Sequence, residues 1–284
     1  NSKLMKSRFL LIALMLFAVS KLMAQEIQLA SEAEFNRFKS STTYLVKYDD
    51  PFSMFNAYME EDMKAVWTIT PYKIITSAEF DDKMKDKNAS FIFLSEAMKD
   101  DAGVFFKLNI LNIVLGSRSG SINYMPDLGS APLSYVFEDE DDEDVYLYKL
   151  AGVLRFFQYY IQYNIDHPKS DIKDVIKANK SKIEGKELWL VKSDLDSDVN
   201  TESKISKFYD GKVKLVTQEE IRNAVHAGNT NVVFLHKIGP SGKTGYQCLK
   251  FLINAGDGTP LYFDMHKVNS KSPDAFLSSD FKSL

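Results

Sequence analysis

A 24-residue stretch of this chain occurs twice without a gap: residues 72–95 read YKIITSAEFDDKMKDKNASFIFLS and residues 213–236 read VKLVTQEEIRNAVHAGNTNVVFLH. Lys73 falls on Lys214, Thr76 on Thr217, Glu79 on Glu220, Asn88 on Asn229 and Phe93 on Phe234, while apolar positions stay apolar between them. In each copy a short apolar run stops at Thr, a Glu follows three residues later, and helical spacing begins. That is the capping-box signature of a strand feeding a helix, because the Thr hydroxyl and the Glu carboxylate satisfy amides that the first helical turn leaves unpaired. Each copy therefore reads as strand, helix, strand, and a chain that contains the unit twice is expected to build it twice.

The correspondence extends both ways. Upstream, Tyr44-Leu-Val-Lys-Tyr-Asp49 matches Trp189-Leu-Val-Lys-Ser-Asp194, and a short helix is expected before each, over residues 30–39 and 170–180. Between Ser53 and Trp67, apolar residues recur at spacings of three and four, which predicts an amphipathic helix on a sheet. Downstream, two antiparallel segments follow each copy: residues 104–115 and 121–125 in the first, and residues 246–253 and 260–265 around Asp257-Gly258 in the second. Strands separated by helices run parallel and strands joined by turns run antiparallel. The expected fold class is α/β (α+β): two tandem duplicated domains, each a mixed parallel and antiparallel sheet packed with helices. The expected division is 1–24 signal peptide, 25–168 first unit and 169–284 second unit, with His167-Pro168 at the boundary. The first unit closes with a helix over residues 145–164 that is apolar on most sides, so it is expected either between the units, under a partner, or as a core helix rimmed by tyrosines.

Export is the functional expectation that the residues carry most directly. Lys3, Lys6 and Arg8 precede the apolar run from Phe9 to Val19, and Met23-Ala24-Gln25 supplies a small-residue cleavage site, with cleavage expected after Ala24. The alternative is an uncleaved anchor, although the run is shorter than the roughly 20 residues a spanning helix needs. No cysteine stands near the cleavage point to carry a lipid. A net charge of −4 over 284 residues argues against a general nucleic-acid partner, whose phosphates demand a basic surface. The single cysteine, Cys248, forbids an internal disulfide.

No residue set commits the chain to catalysis, to a cofactor or to a metal. Gly239-Pro-Ser-Gly-Lys-Thr244 looks like the end of a phosphate-binding loop, but Lys237 stands where the leading glycine belongs, and a strand rather than a helix is expected next, so no nucleotide is expected there. Asp264 and His266 share a strand face and could meet His236 as metal ligands, but two surface histidines at strand ends are the expectation. Cys248 reads as a small buried hydrophobe. Asp49 and Asp194 end matched strands at the usual crevice of an open sheet, where a site could form, but helix capping is the expectation for both. The acidic run 138–144 reads as a solvated loop, with a divalent cation or a basic partner surface as alternatives.

The short signal ending in Ala-Gln resembles those of exported Bacteroidota proteins. With YLVKYD, a long helix, KIIT, a short helix, ASFIFL and a meander, the order of elements in each half resembles the exported α/β domains of TolB amino-terminal and CsgG-like envelope proteins. The resemblance implies a periplasmic or cell-surface location in a Gram-negative envelope, with an envelope or outer-membrane complex as partner and sheet edges and loops as contact surfaces. Membrane contact would then come only through that partner or an uncleaved signal. The expected role is a non-enzymatic interaction or scaffold protein; a solute-binding or hydrolytic protein with its site in the cleft between the units is the alternative.

Overall fold

The computed structural model describes residues 29–284 except residue 51 and residues 102–103 and 138–143. The secretory pattern, the turn between the first long strands and nearly all of the acidic run lie outside the described residues. In the first unit β1 (Thr42–Val46), β2 (Tyr72–Ile75), β3 (Ala89–Asp101), β4 (Val104–Leu115) and β5 (Asp127–Val136) form one sheet of order β2-β1-β3-β4-β5. In the second unit β6 (Glu187–Val191), β7 (Lys212–Val216), β8 (Val232–Ile238), β9 (Gln247–Asn254) and β10 (Pro260–Lys267) repeat it as β7-β6-β8-β9-β10. β1 runs parallel to β2 and β3, and β6 to β7 and β8; the remaining pairs are antiparallel. The duplicated sequence has become a duplicated topology.

The helices are α1 (Glu32–Phe38), α2 (Met54–Val66), α3 (Ser77–Lys83), α4 (Asp144–Leu147), α5 (Leu150–Asp166), α6 (Ile172–Asn179), α7 (Glu202–Ile205), α8 (Gln218–His226) and α9 (Ser278–Phe281). Both repeat copies keep the expected cap: Thr76 and Glu79 bracket the start of α3, and Thr217 and Glu220 that of α8. Such a cap is worth about 1 kcal/mol, which matters for helices of two turns.

Three local expectations need correction. Residues 121–125 are not a strand: Ile122–Tyr124 make a single 3-10 turn, and the antiparallel partner of β4 is β5, further on. Pro126 and Pro132 hide that strand from a propensity reading, yet β5 is a sheet edge, and the register skips between Asn109 and Ile110, where Pro132 pairs. An edge tolerates a residue that has no amide to give. The helix expected over residues 145–164 is interrupted at Tyr148 and Lys149, where the buried Lys149 turns its Nζ onto the Lys237 carbonyl at 2.9 Å. In the second unit the place of the long α2 is taken by the single-turn α7, so the repeat is faithful in strands and loose in helices.

The units pack face to back. Leu45 of β1 belongs to the central core, whereas its counterpart Leu190 lies in the outer cluster of the second unit. Val46 lies in the outer cluster of the first unit, whereas Val191 packs on the central core. Thus the α2 side of one sheet faces the α8 side of the other, a heterologous arrangement. Helix α5 lies between, meeting α1, α2 and β5 on one side and α8 and β9 on the other. Its face Leu150, Ala151, Leu154, Phe157 and Ile161 is fully buried, and each large apolar side chain there contributes about 1.5–3 kcal/mol of transfer free energy. Gly152 lets the helix axis approach the Phe234 ring, and Gly258, at φ +76, lets the β9–β10 turn approach the Arg155 backbone. Polar bonds also cross between the units: Arg155 Nε donates to Val225 O at 3.0 Å, and Arg222 and His226 both reach Asp62 Oδ1 at 2.7 Å.

Candidate functional site

Two sheets, one helix and the segment entering α1 leave a cavity of about 460 Å³ between the units. Its walls come from β4 and β5 on one side and β9 and β10 on the other, with α5 along its length and the segment entering α1 at one end. The walls are mostly apolar because alternate residues of each strand point inward: Phe106, Leu108 and Ile110 from β4, and Leu249, Phe251 and Ile253 from β9. A volume in the range of roughly 300–1,000 Å³ is what a small-molecule site requires.

The cavity is long. Asp127 and Tyr135 both line it and stand eight residues apart on β5, on the order of 25 Å at strand rise. The Tyr135 end is aromatic, with Phe106 against Tyr135 at 5.3 Å between ring centroids, and its hydroxyl is spent on the Gln247 carbonyl at 2.7 Å. Polar groups gather at the Asp127 end: Glu32, Ser130, Tyr160, Asn164, Lys169 and Asp171. Burial pushes the Tyr160 phenol up to about 12.

Asp127 is the unusual member. It sits deep within the protein yet keeps accessible surface, since the space beside it is the cavity. Desolvation raises its carboxyl to about 6, against the hydrogen bonds from the Gly129 amide and the Ser130 hydroxyl. Among the described residues no lysine, arginine or histidine pairs with it. Oδ1 accepts from Gly129 N at 2.9 Å. Among the described residues Oδ2 has only the Ser130 hydroxyl at 3.3 Å, whose single proton is also within 3.0 Å reach of Asn112 Oδ1.

His236, expected at the surface, is buried at 2% exposure and lines the cavity from the inner face of β8. The Pro132 carbonyl can only accept, so Nε2 donates to it at 2.9 Å and Nδ1 carries the lone pair without a partner. Burial, reinforced by the nearby Lys149 cation, pushes the imidazole down to about 3. It is neutral. His266 sits on the other face of the sheet, beside Cys248 in register, and binds Pro273 O, while Asp264 pairs with Lys250. The sheet itself separates His236 from Asp264 and His266, and the described residues contain no cluster that could hold a metal.

Neither Asp49 nor Asp194 lines the cavity, and neither caps a helix. Ser53 and Thr201 cap the helices that follow them, while Asp194 lies in a 3-10 turn with its carboxylate 3.8 Å from Lys237 and 3.5 Å from the Tyr148 hydroxyl. The Gly239–Thr244 loop joins β8 to β9, and its Gly242 amide donates to Asp274, which also holds Lys237 at 3.1 Å. Cys248 is fully buried, and desolvation pushes its thiol up to about 12. Sequence reasoning missed Asp127 because the strand carrying it was itself missed; an acid beside Leu-Gly-Ser-Ala-Pro reads as a turn. The chain matches no protein-family model, no curated protein and no solved structure.

Proposed function

We propose that the chain is a non-enzymatic binding protein of the bacterial envelope, which holds an apolar small molecule in the cavity between its two copies. The cavity carries this reading: it is large enough for a ligand, walled by both units, and lined by apolar strand faces rather than by a set of reacting groups. Export rests on the amino-terminal pattern over residues 3–24. A scaffold working through its sheet edges has less support. The outer edges β2 and β7 are four and five residues long and carry lysines, features that oppose strand addition. The Leu215 amide on β7 also donates to Glu202.

The test is extraction. Protein purified without detergent from its native envelope is unfolded in organic solvent and the extract read by mass spectrometry, beside the variant Ala131→Phe, which places a ring in the cavity wall. A stoichiometric lipophilic species in the wild type that is depleted in the folded variant supports the reading. An empty wild-type protein that also fails to take up an apolar fluorescent probe overturns it.

A further inference from the structure

We propose that the cavity selects a single-chain amphiphile with a cationic amine head, seated with its ammonium against Asp127 and its hydrocarbon tail toward the Phe106–Tyr135 end. This deepens the reading above and rests on it. The shape points to one chain, because a volume of about 460 Å³ is drawn out along β5 and lined by side chains from two sheets.

The head follows from unmet hydrogen bonding. A buried carboxylate costs several kcal/mol unless its oxygens are paired. Asp127 has one committed amide donor and a share in one hydroxyl, and among the described residues no cation reaches it. The group that completes it must be a donor, and a positively charged donor completes it best. The surroundings agree in sign: Glu32 and Asp171 line the same end, against the exposed Lys169. A carboxylate head would meet three acids there. Asp171 Oδ1 already accepts from the amides of Lys173 and Asp174 at the start of α6, whereas among the described residues Asp127 Oδ2 has no more than a share of the Ser130 hydroxyl.

The full chain is titrated calorimetrically at neutral pH with decylamine, decanol and decanoate, each below its aggregation threshold. The expected order of affinity is amine, then alcohol, then carboxylate, with the amine ahead of the carboxylate by roughly tenfold or more. In Asp127→Asn, whose fold is checked by circular dichroism, the amine loses its lead while the alcohol binds as before. Equal binding of all three ligands by the wild type, or tightest binding of decanoate, overturns the head-group assignment and leaves the cavity reading standing. Binding of none overturns both. The wild-type ranking decides the matter even if the variant does not fold.

Discussion

Substituting Gly152 by alanine tests the seating of α5 between the sheets. In an open helix this change stabilises by about 0.8–1 kcal/mol, since alanine gives up less backbone entropy. Here the added methyl falls on the Phe234 ring, which is fully buried in the central core. Overpacking of this kind costs about 1–3 kcal/mol, so after the gain in helix propensity the net expectation is a loss of up to about 2 kcal/mol. For a chain of this size that corresponds to a fall in Tm of up to about 4 °C. The assay is urea unfolding of wild type, Gly152→Ala, Phe234→Leu and the double variant. Removing the ring makes room for the methyl, so the double variant should be more stable than the sum of the singles by about 1 kcal/mol or more. Additive behaviour, or a stabilised Gly152→Ala, would mean that the helix does not approach β8 as described.

Further expectations concern the buried ionisable groups. Asp127 near 6 stands above its ordinary 3.8, so the unfolded chain gives up that proton first, and its contribution to stability falls as pH rises from about 4 to 6, by up to about 3 kcal/mol. His236 near 3 stands below its ordinary 6.5, so the unfolded chain takes up that proton first, and stability is lost as pH falls from 6.5 toward 3, by up to roughly 5 kcal/mol. Unfolding curves of Asp127→Asn and His236→Gln should diverge from wild type in opposite senses across that window; curves parallel to wild type would contradict both assignments. Asp62→Ala leaves Arg222 with Glu61 alone and His226 with no carboxylate, and should cost about 2–4 kcal/mol in urea unfolding; a loss below about 0.5 kcal/mol would show that this contact between the units is not formed. Cys248 should resist an aromatic disulfide reagent in the native protein and react only on unfolding; prompt stoichiometric labelling would place it elsewhere.

Every strand but β5 was legible because strand formation leaves marks in local sequence: the repeated apolar runs ending in Thr, the Thr and Glu caps, and the Asp257-Gly258 turn all recur where the structure places them. The buried face of α5 was legible for the same reason, as apolar residues at helical spacing. What failed was whatever depends on a distant partner. β5 is held as a strand by β4 despite its two flanking and internal prolines, Lys149 breaks its helix to reach a carbonyl 88 positions away, and His236 is buried only because the first unit covers it. The cavity belongs to that class. Its walls are ordinary amphipathic strands, and nothing in either copy alone indicates that two of them enclose a space.

Photoaffinity labelling tests most directly whether both copies build one site. An alkylamine bearing a diazirine near the end of its chain is irradiated with the native full-length protein, and the labelled peptides are sequenced. Labels from one bound molecule should appear both in β4–β5, around Phe106 to Tyr135, and in β9–β10, around Gln247 to Met265. Labelling restricted to one unit, or to exposed apolar residues such as Phe52, would contradict a shared binding cavity.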